Sequence, residues 1–181
     1  MGNRTLRPQL RARLSLDEDE SGHGSLLFLV VAPGVVAGLI PWLLTGWDAH
    51  GDVPAALVAA GGVLVAAGAG VLLHAFAQFV TEGLGTPAPV APTRHLVVSG
   101  LYRHVRNPMY LAVAVTIVGQ AIVLGHAGLL VYTLAFGATV GAFVHFYEEP
   151  TMARQFGADY EAYRRAVPAW WPRRRPGSGG R

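Results

Sequence analysis

Two stretches hold most of the side chains able to do chemistry. Residues 94–110 place three arginines, two histidines and two tyrosines within 17 positions, with Gly100 and Pro108 among them. The second stretch is Glu148-Glu149-Pro150. Each abuts a long apolar run. Ionisable groups beside a bilayer are costly unless they are paired or hold a ligand. Adjacent carboxylates call for a cationic partner, and tyrosine rings attract cations too.

Composition narrows the chemistry. The chain has 181 residues, 52% hydrophobic and 14% charged, with no cysteine. That charge content is well below the quarter or so usual in soluble proteins. Without cysteine there is no disulfide framework, thiolate metal site or cysteine nucleophile. All 14 basic residues are arginine, so Schiff-base and phosphate-loop lysines are excluded too. The charge lies almost wholly outside four apolar stretches, which predicts an all-α integral membrane chain without a nucleic-acid partner.

Four membrane spans are expected, at about 26–47, 54–80, 109–125 and 128–147, near the ~20 residues a helix needs to cross. Residues 1–25 read as a disordered tail and 26–172 as the membrane domain. No cleavable signal peptide is evident. Pro33 and Pro41 predict a kinked first span. Gly61, Gly62, Gly68 and Gly70 predict a smooth packing face on the second. Asn107-Pro108 marks a helix start. Residues 151–167 read as an amphipathic helix, with Met152, Phe156, Tyr160, Tyr163 and Val167 at i+3 and i+4 spacing. Trp170, Trp171 and the arginines at 173–175 form an aromatic and basic anchor, and 173–181 is a basic, glycine-rich tail.

Arginine placement sets the orientation. Four precede the first span, three lie in the 81–107 loop and seven follow the fourth span; the two opposite loops have none. The positive-inside rule then puts both termini and both polar stretches on the cytoplasmic side of the cell membrane. The third and fourth spans form a hairpin that returns Glu148 and Glu149 to the end where the 94–110 stretch begins.

That end gathers His95, Tyr102, Arg106, Asn107, Tyr110, Glu148 and Glu149. A ligand with a positive centre, an aromatic base and an amino-acid-like end suits this set, and S-adenosylmethionine has all three. Pairing of Glu148 with Arg106 or Arg154 suits the same residue types equally well. A lone His74 is more often a packed residue than a ligand. A four-helix haem or electron-transfer protein using His74 and His145, or a non-catalytic interaction protein, are the other readings.

The ordered set Arg94-His95-Leu96-Val97, Gly100-Leu101-Tyr102, Arg106-Asn107-Pro108-Met109-Tyr110, Glu148-Glu149, Phe156-Gly157 with Tyr160 and Tyr163, and Val167-Pro168 resembles the isoprenylcysteine carboxyl methyltransferase family, in its bacterial form, whose wider kin include phospholipid N-methyltransferases. The resemblance spans about residues 85–172. It implies a membrane methyltransferase using S-adenosyl-L-methionine on a lipophilic acceptor that enters from the bilayer. By the same resemblance, Arg94, His95, Leu96 and Val97 line the adenosine. Tyr102, Asn107, Pro108, Met109, Tyr110 and Glu148 complete the cofactor site, with Asn107 where the family usually has histidine. The arginine that contacts the prenylcysteine in eukaryotic members falls at Val144. Arg154 or Arg103 is then the substitute clamp, and Glu149, His95 or His145 the base for an acceptor that needs one. Glu149 and Arg154 are the catalytic candidates.

Overall fold

The computed structural model describes residues 31–83 and 95–173. The expected N-terminal tail, Arg94 and the arginines at 174 and 175 lie outside the described residues. Those that are described form helices and loops, without a strand. Helix α1 is Val31–Thr45. Helix α2 is Ala55–Gly83, α3 is Pro108–Leu124 and α4 is Ala127–Phe143. A π-turn, Val144–Glu148, carries α4 into α5, Glu149–Ala166.

Two segments, Ala55–Phe79 and Ala127–Ala166, are long and apolar enough to cross a membrane. Helix α3 is shorter, and α1 is described only from Val31 onward. At 17 residues, α3 reaches ~25 Å, under the ~30 Å of a hydrocarbon core. Pro108 fixes its start and Gly125, in the left-handed conformation, its end. Large apolar side chains point outward, among them Val63, Leu73, Val131 and Leu134. Contiguous apolar surface of this kind suits lipid rather than water.

Helices α2 and α3 make the closest contact in the bundle. A Cβ on Gly61 would lie 2.7 Å from the Gly119 carbonyl, and one on Gly119 would lie 2.7 Å from the Gly61 carbonyl. One face of α2 therefore carries the expected small-residue packing, through Gly61 and Gly68, seven residues apart and so nearly in line. Gly62 and Gly70 face open space instead, because they fall on other sides of the helix.

Helix α1 bends through a π-turn, Val35–Leu39, ahead of Pro41. Two carbonyls lose their helical partners there. The Ile40 N–H bonds to Val35 O, which leaves Val36 O free, and Pro41 has no N–H for Ala37 O. Neighbouring helices supply both missing donors. Tyr132 OH donates to Val36 O at 2.8 Å, and Gln120 Nε2 donates to Ala37 O at 2.7 Å. Freed backbone groups in apolar surroundings are tolerated when re-satisfied in this way.

The expected single amphipathic helix at 151–167 is interrupted at Gly157, whose φ of 52° and ψ of −122° are non-helical. Its stripe does not face lipid. Tyr160, Tyr163 and Val167 are buried and pack with Met152, Phe156, Leu96 and Val98.

Candidate functional site

The loop after α2 is held by a polar latch. The Leu101 N–H donates to Gln78 Oε1 at 3.2 Å, and Gln78 Nε2 donates to Ser99 Oγ at 2.8 Å. Ser99 Oγ also donates to the Glu82 carboxylate. Gly100, at a φ of 47°, passes so close to the Gln78 side chain that a Cβ there has no room. The latch starts the short 3-10 turn Gly100–Arg103, which buries Tyr102.

A cleft opens where this turn meets the end of α4. It holds about 470 Å³ of space, counted with its open mouth. Phe79 from α2, Leu96, Val97, Tyr102, Arg106 and Asn107 from the loop, and Val144, Glu148 and Glu149 from the π-turn region line it. Met152, Tyr160 and Tyr163 of α5 close the far side.

Its two carboxylates are treated differently. Glu149 pairs with Arg106, Oε1 to Nη1 at 2.8 Å, with both side chains largely buried. The same Nη1 donates to Tyr160 OH at 3.2 Å. Glu148 accepts from Tyr110 OH at 3.2 Å. Burial pushes the Glu148 carboxyl above the usual carboxylate range; the Tyr110 hydrogen bond and Arg106 oppose this shift and Glu149 adds to it. Desolvation raises the phenols of Tyr102, Tyr160 and Tyr163, so all three stay protonated near neutral pH. Tyr163 OH is committed to Tyr102 O at 2.8 Å. The Arg106 Nε–H is buried and has no partner among the described residues. A buried cleft with a weakly compensated carboxylate and an orphaned guanidinium donor presents one feature for a cation and one for an oxygen acceptor.

The candidate residues distribute unevenly. Leu96, Val97, Tyr102, Asn107, Glu148 and Glu149 line the cleft. Tyr110 stands behind Glu148. Pro108 is buried as the first residue of α3, and Met109 is half-buried outside the lining. The side-chain amide of Asn107 is spent on Ala169 O at 3.2 Å. His95 is exposed. Arg154 is exposed and donates to Thr151 Oγ1 at 3.0 Å, and the cleft does not include it. His74 and His145 are exposed and outside the cleft as well. Among the described residues no cluster of three potential metal ligands forms.

Phe79, Met152, Tyr160 and Tyr163 line the cleft without having been among the site candidates read from sequence. Arg106 was expected at this end as a possible partner of Glu148; the carboxylate it pairs with is Glu149. The α5 tyrosines were hidden in an amphipathic stripe, and Phe79 in an apolar run.

Comparison with known proteins agrees with a membrane methyltransferase setting. A family model described as phospholipid methyltransferase matches residues 56–159, more than half of the chain. No curated protein and no solved structure matches.

Proposed function

Because this chain belongs to the phospholipid methyltransferase family, we propose that it is an integral membrane methyltransferase that takes its methyl group from S-adenosyl-L-methionine. Its acceptor would be a lipophilic molecule with a carboxylate, amine or hydroxyl, reaching the cleft from the bilayer. The family membership supports a lipid-like substrate. The observation that carries the cofactor reading is Glu148: a largely buried carboxylate whose hydrogen-bond partner among the described residues is a neutral phenol. A sulfonium or ammonium nearby would supply the missing positive charge.

In this reading Glu148 and the tyrosine faces hold the cationic part of the cofactor. The unpartnered Arg106 Nε–H takes an oxygen of the cofactor or acceptor. Leu96, Val97 and Phe79 give apolar walls for a base. The cofactor supplies an activated methyl carbon. The chain's contribution is to hold acceptor and methyl in line and to keep water out, a proximity effect that can supply ~7–11 kcal/mol. A carboxylate acceptor needs no base. An amine or hydroxyl needs one, and Glu149 must leave Arg106 to serve.

The topology that fits is four spans, with α3 shorter than the bilayer core and both termini cytoplasmic. The arginine distribution supports it. It places the cleft at the cytoplasmic face of the cell membrane.

Titration calorimetry on the detergent-purified chain is the test. Micromolar binding of S-adenosylmethionine that is lost in Glu148→Gln is the expected result. No binding to a folded sample overturns the cofactor assignment.

A further inference from the structure

Residues 168–173 lie as a strap against the 104–107 turn. The Arg106 N–H donates to Pro168 O at 2.9 Å and the Arg173 N–H to His104 O at 3.0 Å. Asn107 Nδ2 donates to Ala169 O, and His104 Nδ1 lies 2.8 Å from Arg173 O. The strap thus holds two residues that line the cleft, Arg106 by its backbone N–H and Asn107 by its side-chain amide. None of its side chains is fully buried. Trp170 is half-buried, Pro172 is exposed, and Trp171 is 83% exposed. A segment held mainly by hydrogen bonds near solvent belongs to the low-stability end of a fold.

The strap also completes a basic surface. Arg173 Nη1 donates to the carbonyl of Ala166, the last residue of α5, at 2.8 Å. That bond places Arg173 beside Arg164 and Arg165 in the last turn. The pairing with His104 brings in Arg103. All four arginines are exposed. Of these four, only Arg164 has a carboxylate partner among the described residues, Glu161 at 3.6 Å, and that pair is about half exposed. Such a pair leaves the surface strongly positive.

We infer that the face formed by Arg103, Arg164, Arg165, Arg173 and Trp171 seats anionic lipid headgroups, and that this seating holds the strap onto the cleft's Arg106–Asn107 side. Arginines near an anionic leaflet are drawn to it within a Debye length. An exposed tryptophan beside them suits the headgroup level. Two members of the face, Trp171 and Arg173, belong to the strap, so lipid that binds them favours the docked strap over the released one. The membrane setting rests on the proposed function; the methyl transfer itself does not enter.

The test is amide hydrogen exchange on the full chain in two sets of vesicles, one of phosphatidylcholine alone and one with about a third phosphatidylglycerol, a content that gives a strongly negative surface. Peptides covering the Arg106 and Arg173 amides should exchange roughly tenfold more slowly in the anionic vesicles. The triple variant Arg103→Gln, Arg164→Gln, Arg165→Gln should lose that difference; all three side chains are exposed, and Arg173 keeps its bond to Ala166. Equal exchange in the two lipids, or a difference that survives in the triple variant, overturns the inference. S-adenosylmethionine binding in the same vesicles separates the two readings. Lipid-dependent protection without cofactor binding sinks only the cofactor assignment, and binding with lipid-independent protection sinks only this inference.

Discussion

The molecule contains the same backbone device twice, with opposite outcomes. In α1 the π-turn Val35–Leu39 precedes Pro41, and between α4 and α5 the π-turn Val144–Glu148 precedes Pro150. The spacing from turn to proline is identical. In α1 the freed carbonyls are taken by Tyr132 and Gln120, and the device closes on itself as a tie between helices. At the second turn Val144 and Glu148 line the cleft, while Phe146 is 78% exposed on the outside. Surroundings decide the difference. Helix α1 has two polar side chains facing its turn, whereas the second turn faces a loop carrying Arg106 and the α5 tyrosines. In this molecule the π-turn borders a cleft where its neighbours leave polar groups uncommitted, and ties two helices together where they do not.

Variants that act on one turn and spare the other sharpen this contrast. The largest effect is expected from Arg106→Gln, which leaves Glu149 buried without its partner. Loss of one member of a buried pair costs about 3–5 kcal/mol, read as a large drop in melting temperature. Adding Glu149→Leu should recover much of it. An unchanged melting temperature in the single variant would mean that the pair is solvated.

Next is Glu148→Gln, which keeps the shape and removes the charge. Cofactor affinity should fall roughly 100-fold, the scale of a lost buried charge interaction, with little change in melting temperature. Affinity should also depend on pH in a definite direction. Burial raises the Glu148 carboxyl above the ordinary range, and a cation prefers the ionised form. Binding therefore weakens as pH falls through that raised value, sooner than an ordinary carboxylate would allow, and it releases a proton at pH values around it. A pH-independent affinity would remove Glu148 from the cation's surroundings.

Pro150→Ala restores an N–H and lets the second turn relax toward ordinary helix. Turnover should fall roughly tenfold, the scale of a small misplacement at a site. Pro41→Ala should leave turnover unaltered. Equal effects from the two would dissolve the contrast. The smallest effect is expected from Gln120→Leu, at about 1–2 kcal/mol of stability for a lost hydrogen bond to a part-buried carbonyl, with cofactor affinity intact.

Much of the helical plan was legible because apolar runs report helices in lipid directly. Pro108 and Gly125 bounded α3, and Gly61 and Gly68 announced a packing face on α2 without naming the helix that meets it. Other parts left no readable trace. The strap is held largely by backbone donors and carbonyls, which carry no residue signature. Gly157 looked like a tolerated helix glycine until its φ became visible. The prolines hinted at kinks without saying which carbonyls would be freed or who would receive them. In the site, Glu148 and Tyr102 stood out as polar groups among apolar ones. Tyr160 and Tyr163 fell into a helical stripe, where a cleft wall and an ordinary packing face have the same spacing. Arg154 was drawn in by its charge, and only the fold shows it turned to solvent.

The strap sets an order on synthesis. Asn107 and Ala169 are 62 positions apart, so at ~5–20 residues per second the nascent chain carries an unfinished turn for several seconds. During that interval the Arg106 N–H lacks the carbonyl that later receives it. The helices that enter the bilayer are made before the cleft is complete, and the last-synthesised stretch of the described chain is the one that finishes it.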